Sequence, residues 1–426
     1  APTGITGEDS RENPTPGTGN MTEKPTSWRE PRFLTAHVAD TMAFYHPRCI
    51  DRRRGGFFQH FLDDGRIYDA DTRHLVSSTR FIVNYARAAM HFQREDYLDA
   101  ARHGLWFLRD AHRNPKTGAY AWVLGDGNRV VDDTSHCYGL AFVLLAYATA
   151  LKAGVAECRP WIEETRELLE RYYWDSRFRL YRDELTGDLS QASPYRGQNA
   201  NMHLCEAFIA AWEATGENLY LERALTLAER VSVDLADRAG GLIWEHYDSR
   251  WNVDWEYNRQ NPRHMFRPWG FQVGHQTEWA KLLATLHRDA PQDWMLKRAM
   301  ELFEAGVVYG WDRKTGGLVY GVDRDYHVCD ADRYFWVQAE TFAAAARLAE
   351  RTGDSYYWGW YDRIWDYVWR HFVDHRRGAW YRILDPRNRR YDDRKSPAGK
   401  TDYHTMGACY EVMEVTRKQH TSGRLP

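Results

Sequence analysis

The chain has 426 residues, with 57 Lys plus Arg against 60 Asp plus Glu and a formal net charge of -3. So small an excess provides no basic field for nucleic acid or an anionic membrane surface, which leaves a small neutral or acidic ligand as the expected partner. Hydrophobic residues at 43% describe a globular chain with a large core. The 19 Trp and 26 Tyr exceed the needs of that core, and flat amphipathic rings suit sugar faces as well as gaps between helices.

In chain order, "APTGITGEDSRENPTPGTGN" precedes Met21 and is rich in Gly, Pro and Thr. Residues 1–27 are therefore expected to be a disordered arm or a cloning remnant, with a single catalytic domain over 28–418 and a tail over 419–426. Cys49, Cys137, Cys158, Cys205, Cys329 and Cys409 lie far apart without a C-x-x-C pair, which suggests neither a zinc site nor a disulfide scaffold. No charged-then-apolar leader and no apolar run of membrane-spanning length is present, so a reducing cytoplasm is the expected location.

From Asp51 onward one turn recurs: an acidic residue or Asn, basic residues, a glycine, then aromatics. It reads "DRRRGGFFQHF", "NPKTGAYAWVL", "DRAGGLIWEHY", "DRKTGGLVYGV" and "DHRRGAWYRIL", and a copy without glycine reads "WDSRFRLYRDE". Marking the copies by Gly56, Gly118, Phe178, Gly241, Gly317 and Gly378 gives steps of 62, 60, 63, 76 and 61 residues by subtraction. Between the turns lie two stretches with apolar residues at i, i+3 and i+4, the first with a charged face and the second apolar nearly all round. Six such hairpins make twelve helices, and closing them into a ring with the apolar set inside predicts an all-α (α/α)6 barrel. A two-domain α-solenoid is the rival, disfavoured by the lack of a linker.

The inner helices open with "HLVSSTRFIVNYARA" (Arg80), "DDTSHCYGLAF" (His136), "NANMHLCEAF" (Asn199, His203), "VGHQTEWAKLL" (His275, Glu278), "YFWVQAETFAA" (Trp336, Glu340) and "KTDYHTMGACYEV" (His404). On a closed ring these groups converge at one mouth. A helix N-terminus disfavours imidazolium and keeps a histidine ready to accept a proton, Glu278 one turn after His275 can hold its second nitrogen, and Arg80 can balance an oxyanion. Asp132, Asp133 and Thr134 before His136 read as capping residues. No Ser or Cys nucleophile elbow, Gly-rich phosphate loop or H-E-x-x-H motif occurs, and a three-histidine metal site lacks a close-spaced ligand pair.

The order R…N-x-x-x-H…G-H-x-x-E-W…W-x-x-x-E…H resembles the N-acylglucosamine 2-epimerase superfamily from about Trp28 to Val415. Within it, "DDTSHCYGLAFVLLAYA" and "HQTEWAKLL" are most similar to the branch of D-mannose and sulfoquinovose isomerases. The resemblance implies an (α/α)6 barrel and a sugar isomerase with no metal or redox cofactor, acting on a free monosaccharide; the sequence leaves monomer and homodimer both open. It implies His275 and His404 as catalytic histidines, His203 as a further essential one and Glu278 as support for His275. It further implies Arg80, Asn199 and Trp336 as substrate-holding groups and a second arginine at Arg267, with Arg263 as the alternative; Glu340 and His136, from their places at inner-helix starts, are candidate substrate-binding groups beside them. The expected reaction is an aldose–ketose interconversion such as mannose to fructose. In it His275 opens the ring and His404 takes the C2 proton to give an enediolate. A 2-epimerase using the same parts is the alternative. An (α/α)6 glycoside hydrolase using Asp132, Asp133 and Glu340, and a non-catalytic scaffold, rank below it.

Overall fold

The structure, a computed structural model, describes residues 23–422. Residues 1–22 of the expected arm lie outside the described residues. Within 23–27, Lys24 already reaches the barrel, its Nζ 2.6 Å from Asp366, and Trp28 stacks on Trp365 at 5.5 Å.

Twelve long helices follow: α1 (Pro31–Tyr45), α2 (Leu75–Phe92), α3 (Glu95–Phe107), α4 (Cys137–Lys152), α5 (Cys158–Tyr172), α6 (Gln198–Thr215), α7 (Asn218–Glu229), α8 (Val273–Asp289), α9 (Asp293–Gly310), α10 (Phe335–Thr352), α11 (Ser355–His371) and α12 (Tyr403–Ser422). Two outer helices run on through π-helical turns, α3 over Leu108–His112 and α7 over Arg230–Leu235. The last helix continues four residues past the expected boundary at 418. Even-numbered helices line the axis and odd-numbered ones form the outer ring, the (α/α)6 barrel read from the periodicity. Burial explains the split. Inner α4 is buried at 13 of its 16 positions, whereas outer α5 buries only Cys158, Ile162, Thr165, Leu168 and Leu169 of 15, and so keeps a charged face for water. Among the described residues no helix is long and apolar enough to cross a membrane, and the six cysteines are unpaired.

Connections from inner to outer helix are tight, as at Gly216 and Gly353, each left-handed with φ near +70°. The returning connections are long and carry the recurring turn at the opposite end, the mouth at the N-termini of the inner helices. Aligned on their first acidic or Asn residue, the six turns place Gly55, Gly118, Arg179, Gly241, Gly316 and Gly378 in one conformation with positive φ. The copy without glycine therefore puts Arg179 at φ +56° there, one residue after the Phe178 marker. In five copies this residue's N–H donates to the carbonyl four positions back, as from Gly55 to Asp51 and from Arg179 to Asp175.

Four residues beyond that turn residue stand Gln59, Trp122, Asp183, Glu245, Tyr320 and Arg382. From Trp122 to Arg382 their carbonyls accept the first N–H of α2, α4, α6, α8 and α10, so backbone from the connection supplies the cap that α4, α6, α8 and α10 lack in side-chain form. Antiparallel two-residue bridges flank each of these bonds, such as Arg73–His74 with Val123–Leu124 and Arg196–Gly197 with His246–Tyr247. The sixth bridge joins Phe61 and Leu62 near the start of the chain to Ser396 and Arg394 near its end, which closes the ring. This repeated register aims one side chain per repeat at the mouth.

Candidate active site

The chamber at that mouth has a volume of about 90 Å³ and is lined by side chains from all six repeats. Arg80, Asn199, His203, His275, Glu278, Trp336 and His404 all face it, so the imidazoles scattered along the chain do meet in one pocket. Trp336 lies between two of them, its ring 5.1 Å from His275 and 5.7 Å from His404. Gly274 gives Trp336 this place, because a Cβ there would come within 2.4 Å of the indole. The glycine before His275 is thus a steric requirement, with no positive φ involved.

Each of the two histidines is held from behind by a carboxylate. Nδ1 of His275 donates to Oε1 of Glu245 at 2.5 Å, and the Gln198 amide donates to both Glu245 oxygens at 3.1 and 2.9 Å. Gln198 is in turn fixed by the Trp279 indole N–H at 2.7 Å, which gives the Trp of the G-H-x-x-E-W stretch its work. The expectation that Glu278 supports His275 is corrected here. Glu245, in the connection after α7, lies against the start of α6, where its carbonyl takes the Gln198 N–H, and from there its carboxylate reaches Nδ1 of His275. Glu278 turns into the barrel, where both its oxygens are buried without a hydrogen-bond partner. Burial, and then the charge of Glu340, raise its pKa well above the usual carboxylate range, so Glu278 is a carboxylic acid facing the chamber.

His404 is backed by Glu340, expected to contact substrate but hydrogen-bonded instead to His404 Nδ1 at 2.7 Å and to Lys281 Nζ at 2.5 Å. Burial pushes Glu340 up, yet Lys281 and His404 hold it down at about 2, while burial lowers His404 to about 4. His404 is therefore a neutral imidazole near pH 7, with Nδ1 donating to Glu340 and Nε2 free to accept a proton. His203 is likewise kept neutral by burial, and its Nδ1, 4.0 Å from Glu206, makes no hydrogen bond among the described residues. His203, Glu206 and Glu278 bring ligand-type atoms within 4.8 Å of one another, as do Glu278, Glu340 and His404, although Glu340 is already engaged by Lys281.

Arg80 donates to the Gly399 carbonyl at 2.6 Å and the Tyr138 hydroxyl at 3.1 Å, with no carboxylate partner. Asn199 leaves its Oδ1 unpaired. Across the chamber Arg382 makes no side-chain hydrogen bond among the described residues and stands 5.9 Å from the Tyr334 ring. Met265, Phe266 and Pro268 cover the opening, and their loop belongs to the repeat with the long step of 76 residues.

Three expected residues lie elsewhere. Arg267 is committed to Asp183 at 2.9 Å and Glu184 at 3.2 Å, and His136 packs on Trp122 at 4.1 Å. Both line a neighbouring hollow of about 320 Å³, which shares only Tyr138, Asn199 and Phe266 with the chamber. Arg263, the alternative, pairs with Asp332 at 3.1 Å in a third hollow. Asp132 accepts from Thr134 N at 2.9 Å, a turn before the helix rather than the expected cap, since the first N–H of α4 goes to the Asp183 carbonyl. A larger cavity, about 530 Å³, lies behind a layer that includes Glu206, Lys281, Glu340 and Tyr403. Glu245, Lys281, Tyr138 and Arg382 were not singled out by sequence reasoning. For Glu245 and Arg382 the signal existed, since both stand four residues after the recurring turn glycine.

Comparison with known proteins agrees with this fold. The family model for N-acylglucosamine 2-epimerase (GlcNAc 2-epimerase) matches residues 56–408. The chain is 54% identical to a D-mannose isomerase of Marinomonas mediterranea over 384 residues, covering 90% of this chain and 97% of that one. It is 38% identical over 291 residues to a D-mannose isomerase of Thermobifida fusca, covering 67% and 71%. A crystal structure of D-mannose isomerase superposes with a TM-score of 0.90 at 52% identity, covering 92% of this chain and all of that one. A cellobiose 2-epimerase structure from Spirochaeta thermophila, at 21% identity and a TM-score of 0.81, shares the fold. The chain belongs to the N-acylglucosamine 2-epimerase family of sugar isomerases and epimerases.

Proposed function

We propose that this protein interconverts a free aldose and its ketose, D-mannose and D-fructose in the first instance, without a metal. The observation that carries the reading is the pair of imidazoles in one chamber, each with its Nδ1 tied to a buried carboxylate and its other nitrogen turned to a shared space beside Trp336. A carboxylate on Nδ1 fixes the tautomer and steadies the ring, as proton transfer through Nε2 requires.

In this reading the sugar binds as a ring against Trp336. His275, entering as imidazolium against Glu245, gives a proton to the ring oxygen as the bond to C1 breaks, and then takes the proton of the C1 hydroxyl as C1 becomes a carbonyl. Neutral His404 takes the proton from C2. The negative charge spreads to O1, where the Arg80 guanidinium and the protonated Glu278 are the available donors, in a site where fixed donors outperform water. His275 gives its proton to O1 and takes the one on O2 as C2 becomes the carbonyl, and His404 returns its own proton to C1. A positioned base contributes on the order of 10² to 10⁴ in rate, and the oxyanion donors add to that.

The hydrolase reading loses support because Glu340 is engaged by Lys281 and His404, while Asp132 lies in the neighbouring hollow and Asp133 is exposed on the surface. The test is a panel of free aldoses and ketoses assayed for product identity with chelator present. Fructose from mannose, undiminished by chelator and abolished in His404→Asn, supports the proposal. Glucose as sole product, or dependence on added metal, contradicts it.

A further inference from the structure

The two histidines are not held alike. Every donor to Glu245 other than His275 is neutral, the Gln198 amide being one, whereas Glu340 carries a lysine at 2.5 Å. With a neutral imidazole, the His275–Glu245 pair holds one negative charge, and a proton arriving there brings it to zero. His404, Glu340 and Lys281 together already sum to zero, so a proton on His404 leaves a net positive charge in a buried site that also faces Arg80. Lys281 is about 8% exposed, on α8 one turn beyond Glu278 in the stretch "HQTEWAKLL". It makes no contact with the chamber and instead lines the cavity behind it.

We propose that Lys281 is a positioning residue which, by neutralising Glu340, keeps His404 unprotonated and so assigns it the part of base. The remaining groups around this trio do not displace the argument. Glu206 on α6 is raised by burial and held by the Tyr403 hydroxyl, Glu278 on α8 is raised likewise, and Glu411 on α12 is taken by Arg347 of α10. Glu340 is the single ionised carboxylate that touches both the lysine and the imidazole.

The inference deepens the isomerase reading, and its test is independent of turnover. Histidine-labelled protein is titrated by nitrogen NMR, with the His404 signal identified by its loss in His404→Asn. In the parent His404 stays neutral to below pH 5. In Lys281→Met the uncompensated Glu340 moves its titration upward by about one to three units, the range for a charge at contact distance, while the His275 titration stays where it was. The acid limb of kcat/KM on mannose moves up by the same amount, and Lys281→Arg restores both. Should Lys281→Met not fold, Lys281→Gln, which can still donate to Glu340, gives the same shift. An unmoved His404 titration, or equal shifts at both histidines, overturns the proposal. If mannose is not turned over but His404 still shifts, the substrate assignment has failed and the role of Lys281 stands.

Discussion

Replacing Glu245 by glutamine changes one oxygen to an NH₂ group, and the surroundings leave that group nowhere neutral to go. One side of the carboxylate faces the Gln198 NH₂, which cannot flip because its own oxygen is held by Trp279, and the other faces Nδ1 of His275. The new amide must therefore donate to Nδ1, which forces the imidazole into its Nε2–H tautomer. Donating that remaining proton to a sugar would leave an imidazolate. The charge lost is large as well: centres about 4 Å apart in a site of effective dielectric near 20 interact by about 4 kcal/mol. At 1.36 kcal/mol per factor of ten, a loss of that size corresponds to about a thousandfold in rate. Glu245→Gln should lose about 10² to 10³ in kcat on mannose, with the thermal midpoint within a few degrees of the parent, because the substituted group is isosteric. The assay is initial-rate fructose formation, with the His275 tautomer read by nitrogen NMR. Activity within twofold of the parent, or an unchanged tautomer, refutes the reasoning.

Gly274→Ala puts a methyl group into the Trp336 ring and should cost about 1 to 3 kcal/mol of stability together with most of the activity, since the indole it displaces separates the two histidines; thermal melts and kcat/KM read both effects. Burial lowers His37, His112, His136, His246 and His404 to about 4 and His74 to about 3. Because the unfolded chain binds these protons near 6.5 and the folded one does not, their stability is complete above pH 6.5 and is lost as pH falls toward 4. At pH 5.5 the loss is about 1.4 kcal/mol each, or about 8 for the six, comparable with a typical total stability; raised Glu278 and Glu206 oppose it in part. Acid unfolding followed by circular dichroism should have its midpoint between about pH 4 and 6, and a barrel intact below pH 4 contradicts the burial argument. Arg382→Leu removes a guanidinium facing the chamber opposite Arg80. It should raise KM for mannose by about tenfold or more, the worth of a hydrogen bond to a charged group, while leaving lyxose, which lacks C6, unchanged; equal effects on both sugars count against it.

The barrel was legible because its turn must repeat: the positive-φ corner recurs every sixty residues or so and keeps its glycine in five copies of six. The convergence of His203, His275 and His404 followed from that same register. The partners of the histidines did not. Spacing on one helix pointed from His275 to Glu278, but a helix start leaves Nδ1 open to the adjoining connection, and Glu245 arrives from there. Glu340 looked like a substrate ligand for want of any view of Lys281, which meets it across two helices. Arg267 and His136 were placed by chain order near a mouth that proves to hold more than one hollow.

The account rests on a proton carried from C2 to C1 by one base within a closed pocket. Mannose turned over in heavy water, in the presence of chelator and stopped early, reports this directly by NMR. Fructose is the predicted product, with C1 only partly labelled because His404 returns the proton it took from C2, and recovered mannose is lightly labelled at C2. Glucose labelled at C2 as the main product, or fructose fully labelled at C1, would contradict it.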